Sequence, residues 1–498
     1  MKANQCMCSW TILLHRAFAF IHHPHIITMQ HLKRRSFLKK STATTLGFTI
    51  LPSYLVTGKP SPDGKLPPSK RINLGCVGVG GRATGVIPGV CKDGKAAPVA
   101  FCDVDYKARR VDQNLKRFPG VRQFKDFRVM LEKMGKDIDA VTVVVPDHSH
   151  FAATILAMSM GKHVYVEKPL THSYREADLL MKAQKKFKVV TQMGNQGHTS
   201  AGSVQFENLV KAGIIKNVTK IDAWKGGGLF FMDKKRRISK YPKGEEMPAT
   251  LDWDLWCGPA QKKPFSRLYH PFDWRAFYLY GNGMLGDWGA HIIDFAHDFL
   301  KLGQPEKISP LLIEDPNDVI FPLKSHLRMN FPARGKDLPA VEMTWRDGAD
   351  CQPKVAEKFM DRNDKGKLSM PRLGGAGTIL YPEGKDYAVT RGSHSGTSNI
   401  INTEKRTELR EHLRTSNPKF NHSASFTAAC LGEDKTRSPF SIAGDLTKTM
   451  MLGIVCQKLN EELSFDISRE QFIGNDKANA LLEGPTPRKG WEQFYKIL

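Results

Sequence analysis

The sequence predicts an α/β protein with a doubly wound parallel sheet in its N-terminal half and an α+β domain with an open, largely antiparallel sheet in its C-terminal half. Three observations lead to this prediction. Short apolar runs alternate with helical patterns after Arg71, a glycine-rich turn follows the first run, and runs of alternating polarity return after residue 300. Alternating strands and helices are typical of parallel sheets, whereas strands of alternating polarity are typical of sheets with one solvated face.

The strands and helices follow from these runs in chain order. In the first half the apolar runs have the length of buried strands and occupy 72–79, 98–102, 140–145, 163–166 and 189–193. In the second half, 325–331 and 340–345 alternate as half-buried strands do, and 443–463 has the pattern of a helix. We expect this C-terminal helical part to pack back on the first domain.

At 498 residues the chain is too long for one compact core. We predict a leader at 1–58, a Pro/Gly/Lys linker at 59–70, a parallel-sheet domain at 71–195 and a second domain at 196–498. The alternating strands of the second domain leave one sheet face available to another subunit, so we expect a homo-oligomer, either a dimer or a tetramer.

The leader resembles a twin-arginine export signal. Paired arginines, Arg34 and Arg35, precede a weakly apolar stretch at 41–56. That stretch is shorter than the ~20 residues of a membrane-spanning helix and contains Gly47 and Pro52, so we expect no stable membrane anchor. We predict an exported, periplasmic protein, with the basic tail of a cytosolic protein as the alternative. Residues 1–28 precede Met29, so the natural start also stays open.

The formal charge of +24 raises the question of nucleic-acid binding. Seven basic residues and no acid stand in the leader, and the dense run that is left, 234–237, lies in a polar insertion. No aromatic and basic platform accompanies that run, so we expect no nucleic-acid partner. The nine cysteines have no C-x-x-C spacing, which favours buried thiols over a disulfide framework or a zinc site.

The first apolar run ends in a glycine-rich turn of the form G-x-G-x-x-A. It comprises Gly78, Gly80, Gly81, Arg82 and Ala83. In dinucleotide-binding turns the first glycine allows the tight turn and the second lets the backbone approach a pyrophosphate. The last small residue lets the helix pack closely on the strand. The turn and the surrounding strands predict a Rossmann domain that binds NAD or NADP.

Asp103 ends the second run, 25 positions after Gly78. A carboxylate at this position accepts hydrogen bonds from the adenosine ribose and repels a 2′-phosphate, so NAD is favoured over NADP. Arg82 weakens this preference, because a guanidinium beside the turn can hold a phosphate. A role of Asp103 as a helix N-cap is the structural alternative.

Three further motifs narrow the prediction to a family. They are Val-Pro-Asp-His-Ser-His at 145–150, Val-Glu-Lys-Pro at 166–169 and Gly-Asp-Trp-Gly-Ala-His at 286–291. With the glycine turn, these motifs resemble the Gfo/Idh/MocA superfamily of glucose-fructose oxidoreductase and inositol dehydrogenase, in particular its exported, sugar-directed bacterial members. The resemblance covers about residues 70–300. It implies an NAD(P)-dependent oxidoreductase that acts on a secondary hydroxyl of a sugar or polyol, or on a keto-sugar.

The resemblance also implies site residues. It implies a cis peptide between Lys168 and Pro169, which aims the lysine into the cleft. Cofactor contacts are expected from Pro146 and His150, beside the nicotinamide, and from the Glu167–Lys168 pair. Helix capping is the structural alternative for His150.

Asp287 and His291 are the remaining catalytic candidates. They stand four positions apart in a helical pattern, a spacing that places both side chains on one face. Alcohol oxidation needs a base near the hydroxyl, for which we predict His291, while Lys168 stabilises the oxygen and Asp287 orients the pair. His291 and Lys168 can exchange these roles. Two ligands without a third do not make a zinc site, so we expect no metal.

Substrate contacts are expected from two segments. An insertion rich in aromatic residues contains His270 and Trp274, whose rings suit a pyranose face or form a packed lid. Asn195, Gln196 and His198 follow the last strand of the first domain and offer groups for sugar hydroxyls or the cofactor amide. Two alternative functions stay open. One is an NAD-dependent glycosidase that works by oxidation and elimination, and the other is a non-catalytic sugar or nucleotide sensor.

Overall fold

The computed structural model describes residues 70–227, 237–394 and 396–498. The predicted leader and all of the linker except Lys70 lie outside these residues, as does most of the basic run at 234–237. No helix within the described ranges is long and apolar enough to cross a membrane.

Six strands form the sheet of the first domain. They are β1 (Ile72–Val77), β2 (Ala96–Cys102), β3 (Arg122–Phe124), β4 (Ala140–Val143), β5 (His163–Val166) and β6 (Thr191–Met193). The sheet has the order β3-β2-β1-β4-β5-β6, and all of its strand pairs are parallel. This order reverses between β1 and β4, so the carboxyl ends of these strands open the crevice in which doubly wound sheets bind ligands.

The helices of this domain follow the strands. They are α1 (Ala83–Cys91), α2 (Val111–Arg117), α3 (Phe127–Met134), α4 (Asp147–Ser159) and α5 (Tyr174–Phe187). Helix α5 begins with a capping box, in which the Ser173 hydroxyl accepts from the Glu176 amide and the Glu176 carboxylate accepts from the Ser173 amide. Helix α1 has no side-chain cap, and its first amides donate to carbonyls of the glycine turn instead, Ala83 to Gly80 (2.9 Å) and Gly85 to Arg82 (3.0 Å).

The second domain contains the remaining elements of the described chain. Its helices are α6 (Ala201–Lys211), α7 (Trp253–Cys257), α8 (Gly283–Ile292), α9 (Asp294–Phe299), α10 (Thr403–Glu408), α11 (His422–Cys430), α12 (Phe440–Leu459) and α13 (Asp476–Glu483). Its large sheet is built from β7 (Val218–Gly226), β8 (Lys307–Glu314), β9 (Lys324–Phe331), β10 (Val341–Gly348), β13 (Ala376–Pro382), β14 (Val389–Gly392), β15 (Ser398–Ile400), β16 (Leu463–Asp466) and β17 (Gln471–Phe472). A separate short ribbon pairs β11 (Asp361–Arg362) with β12 (Leu368–Ser369).

The nine-stranded sheet has the order β15-β14-β13-β7-β10-β9-β8-β16-β17. Only β7 and β10 pair in parallel among these described strands. The fold is therefore α/β, with a parallel six-stranded sheet and a mostly antiparallel second sheet, as predicted.

Helix α12 connects the two sheets. It packs against α5 of the first domain and against α8 and β8 of the second. Helix α11 packs against α1, and α13 packs against α5, so the C-terminal helices cover the first domain. The helix predicted at 443–463 begins earlier, at Phe440, and ends at Leu459. Asn460 follows it in a left-handed conformation (φ 53°) that terminates the helix.

Candidate functional site

A cavity of about 570 Å³ lies at the carboxyl ends of the parallel strands. The first domain contributes the glycine turn, Asp103 and the strand ends at Pro146 and Lys168. The second domain contributes the aromatic insertion through Trp256, His270, Trp274 and Arg275, and Trp491 of the C-terminal tail also lines the cavity. Its size lies in the range typical of cofactor and ligand pockets.

The glycine turn depends on the absence of side chains at two positions. Gly78 has a φ of +84°, and a Cβ there would lie 2.0 Å from the Val144 carbonyl oxygen. A Cβ on Gly80 would lie 2.7 Å from a methyl of Val111 and 2.8 Å from the Arg109 carbonyl oxygen. Gly80 therefore makes room for the protein's own segment before α2. Ala83 is fully buried beneath the turn and, unlike the other predicted turn residues, does not line the cavity.

Asp103 is fixed by the backbone around it. Its carboxylate accepts hydrogen bonds from the Val79 amide (2.8 Å) and the Asp105 amide (3.1 Å). Burial raises the pKa of Asp103, whereas these backbone hydrogen bonds and one from Gly80 act in the opposite direction. The side chain lines the cavity and tethers the glycine turn, so the structure gives it a position that serves both a ribose contact and the turn itself.

Arg82 and Glu167 link the turn to β5. The Arg82 guanidinium lies 3.1 Å from the Glu167 carboxylate, which is almost fully buried while the arginine is half-exposed. A Cβ on Gly194 would lie 2.6 Å from the same carboxylate, so β6 also closes over it. Glu167 thus anchors Arg82 at the cavity wall, and the guanidinium keeps an exposed side for a phosphate.

Lys168, Asp287 and Arg275 form a charged cluster beside the cavity, which Lys168 and Arg275 line and Asp287 does not. The Lys168–Pro169 peptide is cis. The Lys168 ammonium donates to a carboxylate oxygen of Asp287 (2.5 Å) and to its backbone carbonyl (3.0 Å). Arg275 lies 3.5 Å from the same carboxylate oxygen. Burial alone would raise the pKa of Asp287, but the two cations hold it below its ordinary value.

Arg275 was not among the residues predicted from the sequence. Its guanidinium carbon lies 4.2 Å from the Trp274 ring centroid and 4.8 Å from that of Phe272. The sequence signal was its position directly after Trp274 in the aromatic insertion. Because Arg275 lines the cavity and reaches Asp287, the insertion contributes a charge to the site as well as rings.

Asp147 is a second buried carboxyl in this region. It begins α4, lines the cavity and accepts a hydrogen bond from the Asn282 amide (3.1 Å). Burial raises the pKa of Asp147 to about 7. The charges of Arg275 and Lys168 lower this pKa, and that of Asp287 raises it. The charged cluster therefore combines the ionised Asp287 with a second carboxyl, that of Asp147, whose raised pKa lies near neutrality.

His291 lies one helical turn beyond Asp287 on α8. Its ring stacks on that of His394 with a centroid distance of 3.9 Å, and the His394 amide donates to the His291 carbonyl (2.9 Å). Burial, followed by the nearby Lys168, lowers the pKa of His291 well below its ordinary value, so the ring is neutral. Nδ1 of His291 is buried and has no hydrogen-bond partner among the described residues. His291 is not part of the cavity wall; it borders the cluster from the side of the second sheet.

His148 and His150 hold the walls of the cavity in place. The ring nitrogens of His148 lie 2.8 Å from the Trp256 carbonyl and 3.2 Å from the Tyr280 carbonyl, which ties α4 to the insertion. Those of His150 lie 2.8 Å from the Pro169 carbonyl and 2.9 Å from that of Val145. Pro146 lines the cavity and His150 does not, so His150 acts as a support behind the strand ends.

The predicted substrate residues separate into two groups. His270 and Trp274 line the cavity, with the His270 ring packed edge-on against Trp256 and 3.7 Å from Asp105. Most of the other rings of the insertion are buried against one another, which is the packed-lid arrangement. Asn195, Gln196 and His198 do not line the cavity.

His198 is held in a buried ion cluster. Its two ring nitrogens lie 2.9 Å from Asp294 and 3.3 Å from Asp298, and its ring stacks on Phe299. Burial alone would lower the pKa of His198, but the two carboxylates raise it to about 10. Both side-chain atoms of Asn195 and the amide oxygen of Gln196 are buried without a partner among the described residues. The structure therefore leaves the two amides available and engages the imidazole elsewhere.

The comparisons with known proteins agree with this architecture. Residues 72–195 match a family model described as "Oxidoreductase family, NAD-binding Rossmann fold" of the Gfo/Idh/MocA group, and residues 203–317 match the model of its C-terminal alpha/beta domain. The chain belongs to the Gfo/Idh/MocA family of oxidoreductases. Its first domain is the NAD-binding Rossmann domain of that family.

Similar proteins of this family include two curated relatives. A UDP-N-acetylglucosamine 3-dehydrogenase of Acidithiobacillus ferrooxidans is 33% identical over 100 residues, which are 20% of this chain and 32% of the relative. A glycosyl hydrolase family 109 protein of Shewanella baltica is 30% identical over 166 residues, which are 30% of this chain and 36% of the relative. The matches thus span about a third of the length of these relatives.

A solved structure extends the likeness of the fold to most of this Gfo/Idh/MocA chain. The WlbA dehydrogenase of Chromobacterium violaceum, solved with NADH and UDP-GlcNAcA, has a TM-score of 0.52 and 14% identity. The match covers 80% of this chain and 96% of that one. At this identity the likeness concerns the fold.

The residues of the cavity fit NAD. The glycine turn lines the cavity without side chains and the Arg82 guanidinium provides donors for a pyrophosphate, while Asp103 provides acceptors for ribose hydroxyls. Pro146 and Lys168 line the opposite end, where the strand ends meet the second domain. The cavity therefore has groups that fit the pyrophosphate and the adenosine ribose of the dinucleotide.

Proposed function

We propose that this protein is an NAD-dependent oxidoreductase that oxidises a secondary hydroxyl of a sugar or polyol, or reduces the corresponding keto-sugar. The observation that carries the proposal is the contact between Lys168 and Asp287. It joins the end of a Rossmann strand to α8 of the second domain, beside the dinucleotide cavity that Lys168 lines. An alcohol that contacts Lys168 between the two domains lies close to the carboxylate of Asp287 and the neutral ring of His291.

The chemistry of the residues follows from their charges. NAD bound in the cavity supplies the acceptor for the hydride of the alcohol carbon. Lys168, positioned by Asp287, donates a hydrogen bond to the alcohol oxygen and stabilises the negative charge that develops on it. His291 is neutral and can take the hydroxyl proton, and Lys168 can exchange this role with it. The buried amides of Asn195 and Gln196 lie outside the cavity wall, so their contact with the substrate or the nicotinamide amide stays a prediction.

Cofactor analysis and a substrate screen test the proposal. Denaturation of the purified protein is expected to release NAD(H), and sugars or keto-sugars are expected to change the NADH absorbance of the holoenzyme. The absence of NAD or NADP binding at saturating concentration would exclude the proposed reaction. Binding without turnover on any sugar or polyol would favour a sensor.

Oxidation followed by elimination is the second candidate. One relative carries the name of a glycosyl hydrolase family, and this reaction would use the same cation, carboxylate and imidazole. In that case a glycoside is cleaved with no net formation of NADH, because the cofactor is restored within each cycle. A dehydrogenase instead produces one NADH for each ketone formed, so product analysis of a glycoside separates the two.

We further propose that the protein is exported in folded form through the twin-arginine pathway and acts as a homo-oligomer. The support for export is the sequence around Arg34 and Arg35. The double substitution Arg34→Lys and Arg35→Lys is expected to keep the protein in the cytoplasm, which cell fractionation would show. Size-exclusion chromatography with light scattering would give the oligomeric state.

A further inference from the structure

Lys225 is a buried cation that contacts Trp288, the neighbour of Asp287 on α8. It stands near the end of β7 and is 9% exposed. Its ammonium lies 4.5 Å from the ring centroid of Trp288 and donates to the Gly226 carbonyl. Within the described residues it forms no ion pair with a carboxylate, although buried lysines are usually paired.

The acids near Lys225 do not neutralise it. Burial lowers the pKa of Lys225, and the more distant Asp347 and Asp287 act in the opposite direction. Asp347 is itself buried on β10, where burial raises its pKa to about 7, and it accepts a hydrogen bond from the Trp345 indole (2.7 Å). Asp287 is already bound by Lys168 and Arg275. The region therefore carries an excess of positive charge, which an anionic ligand would compensate.

Trp288 connects Lys225 to the reacting groups. It follows Asp287 on α8, and its ring packs edge-on against His394, which stacks on His291. A sugar whose hydroxyl contacts Lys168 and His291 can place an apolar ring face along this indole. A substituent beyond the ring then reaches Lys225.

We propose that Lys225, held on the ring of Trp288, is a specificity-determining residue that selects sugars carrying an anionic substituent, either a carboxylate or a phosphate or sulfate ester. This inference rests on the proposed function for the place of the reacting hydroxyl. A largely desolvated ammonium gains more free energy from a charged partner than from a neutral one. The protein should therefore bind anionic sugars more tightly than neutral ones.

Affinity and turnover of matched sugars test this inference. The probes are D-glucose and three anionic counterparts, namely D-glucuronate, D-glucose 6-phosphate and D-glucose 6-sulfate. Binding to the NAD-loaded protein is followed by tryptophan fluorescence and thermal shift, and turnover by NADH absorbance. We expect at least one anionic sugar to bind about 10- to 100-fold more tightly than glucose, and the three probes distinguish a carboxylate from an ester.

Substitutions of Lys225 assign the preference to this residue. Lys225→Met is expected to remove the preference for the anionic sugar and to leave the affinity for glucose within about twofold, whereas Lys225→Arg retains the preference. Lys220→Met is the matched control. This lysine lies on the same strand and over another ring, that of Tyr381 (5.3 Å), but it is exposed and pairs with Asp222 (3.8 Å). NAD content and melting temperature verify the fold of each variant.

The outcomes separate this inference from the proposed function. One outcome is an anionic sugar that binds tightly in a way that depends on Lys225 and yet is never oxidised. That result would support the subsite and contradict the proposed reaction. Oxidation of an anionic sugar with an affinity and a rate that Lys225→Met leaves unchanged would keep the reaction and overturn the subsite. Equal affinity for all probes, or no measurable affinity for any anionic sugar, would also overturn it.

Discussion

Asp287 is held between two cations, and this arrangement determines how Lys168 can act. The carboxylate receives the Lys168 ammonium at 2.5 Å and lies 3.5 Å from Arg275. Because the pKa of Asp287 is held low, the carboxylate stays ionised and can orient the ammonium throughout the neutral range. The neutral ring of His291 lies one turn away on the same helix, so donor and acceptor approach the alcohol from different domains.

Removal of Lys168 or His291 is expected to abolish most of the turnover. Lys168→Ala and His291→Ala should each lower kcat by about 10² to 10⁴-fold, because each removes a group that acts on the same oxygen. The double variant should be little worse than the weaker single variant, since groups that share a transition state are not additive. Asp287→Asn should have a milder effect. Single-turnover kinetics and NAD titration measure these changes, and near-normal turnover of both single variants would remove the proposed site.

Arg275→Gln is expected to move the acidic limb of the rate profile to higher pH. Arg275 lowers the pKa of Asp287, so its loss lets that pKa rise and protonates Asp287 at a higher pH. Activity should therefore be lost earlier as the pH falls, while the rate at alkaline pH changes less. The pH dependence of kcat/KM measures the shift. Arg267→Gln, an exposed arginine of the same insertion, is the control, and an identical profile for both variants would contradict the assigned role.

The aromatic insertion and the C-terminal tail form the outer wall of the cavity. Trp256 of α7 and Trp491 of the tail both line it. Arg488 joins the two elements, since its guanidinium donates to the Gly258 carbonyl (2.9 Å), the Asp254 carbonyl (2.8 Å) and the Asp254 carboxylate (2.9 Å). The cavity wall thus includes an element far from the glycine turn in the sequence.

Arg488→Gln is expected to accelerate the release of NAD(H). Loss of these contacts should loosen α7 against the tail and increase the dissociation rate by about 10-fold, which corresponds to ~1.4 kcal/mol. Stopped-flow displacement of NADH measures the rate. Lys489→Gln, which changes the exposed neighbouring cation, should leave the rate unchanged. Equal rates for both variants would show that the tail does not close the cavity.

The sequence predicted these elements with unequal success, and the reason is physical. Strands β1, β4 and β5 are largely apolar runs, and the glycine turn has a fixed local form, so both could be recognised from the chain. The three-residue strand β3 is mostly exposed and has no such pattern. Arg275 and His394 join the site through contacts between segments distant in sequence, which local spacing does not encode.

Buried histidines make opposite contributions to the pH dependence of stability, according to the direction of their pKa shifts. His148, His150 and His422 are buried with pKa values lowered to about 3, 4 and 4, mainly by burial. They are neutral in the folded protein and gain protons on unfolding, so they reduce stability as the pH falls below their ordinary value. His198 has a raised pKa, so its protonated ring stabilises the folded state. This stabilisation is complete below the ordinary pKa of histidine and is lost as the pH rises towards about 10. The contribution of these four histidines to stability should therefore be greatest near neutral pH.

Glu176 adds a separate contribution that a single substitution can isolate. It is buried in the capping box of α5, where the Tyr495 hydroxyl donates to it (2.6 Å), and burial raises its pKa to about 7. A carboxyl with a raised pKa destabilises the folded state increasingly as the pH rises from its ordinary value to the folded one. Glu176→Gln should thus be more stable than the natural protein at pH 8, by at most about 3 kcal/mol, and this advantage should disappear towards pH 5. The difference in unfolding free energy between the two proteins, measured across this pH range, cancels the imidazole contributions common to both. Glu132→Gln, on the exposed face of α3, should show no such dependence, and a constant difference for Glu176→Gln would mean that this carboxyl is ionised throughout the range.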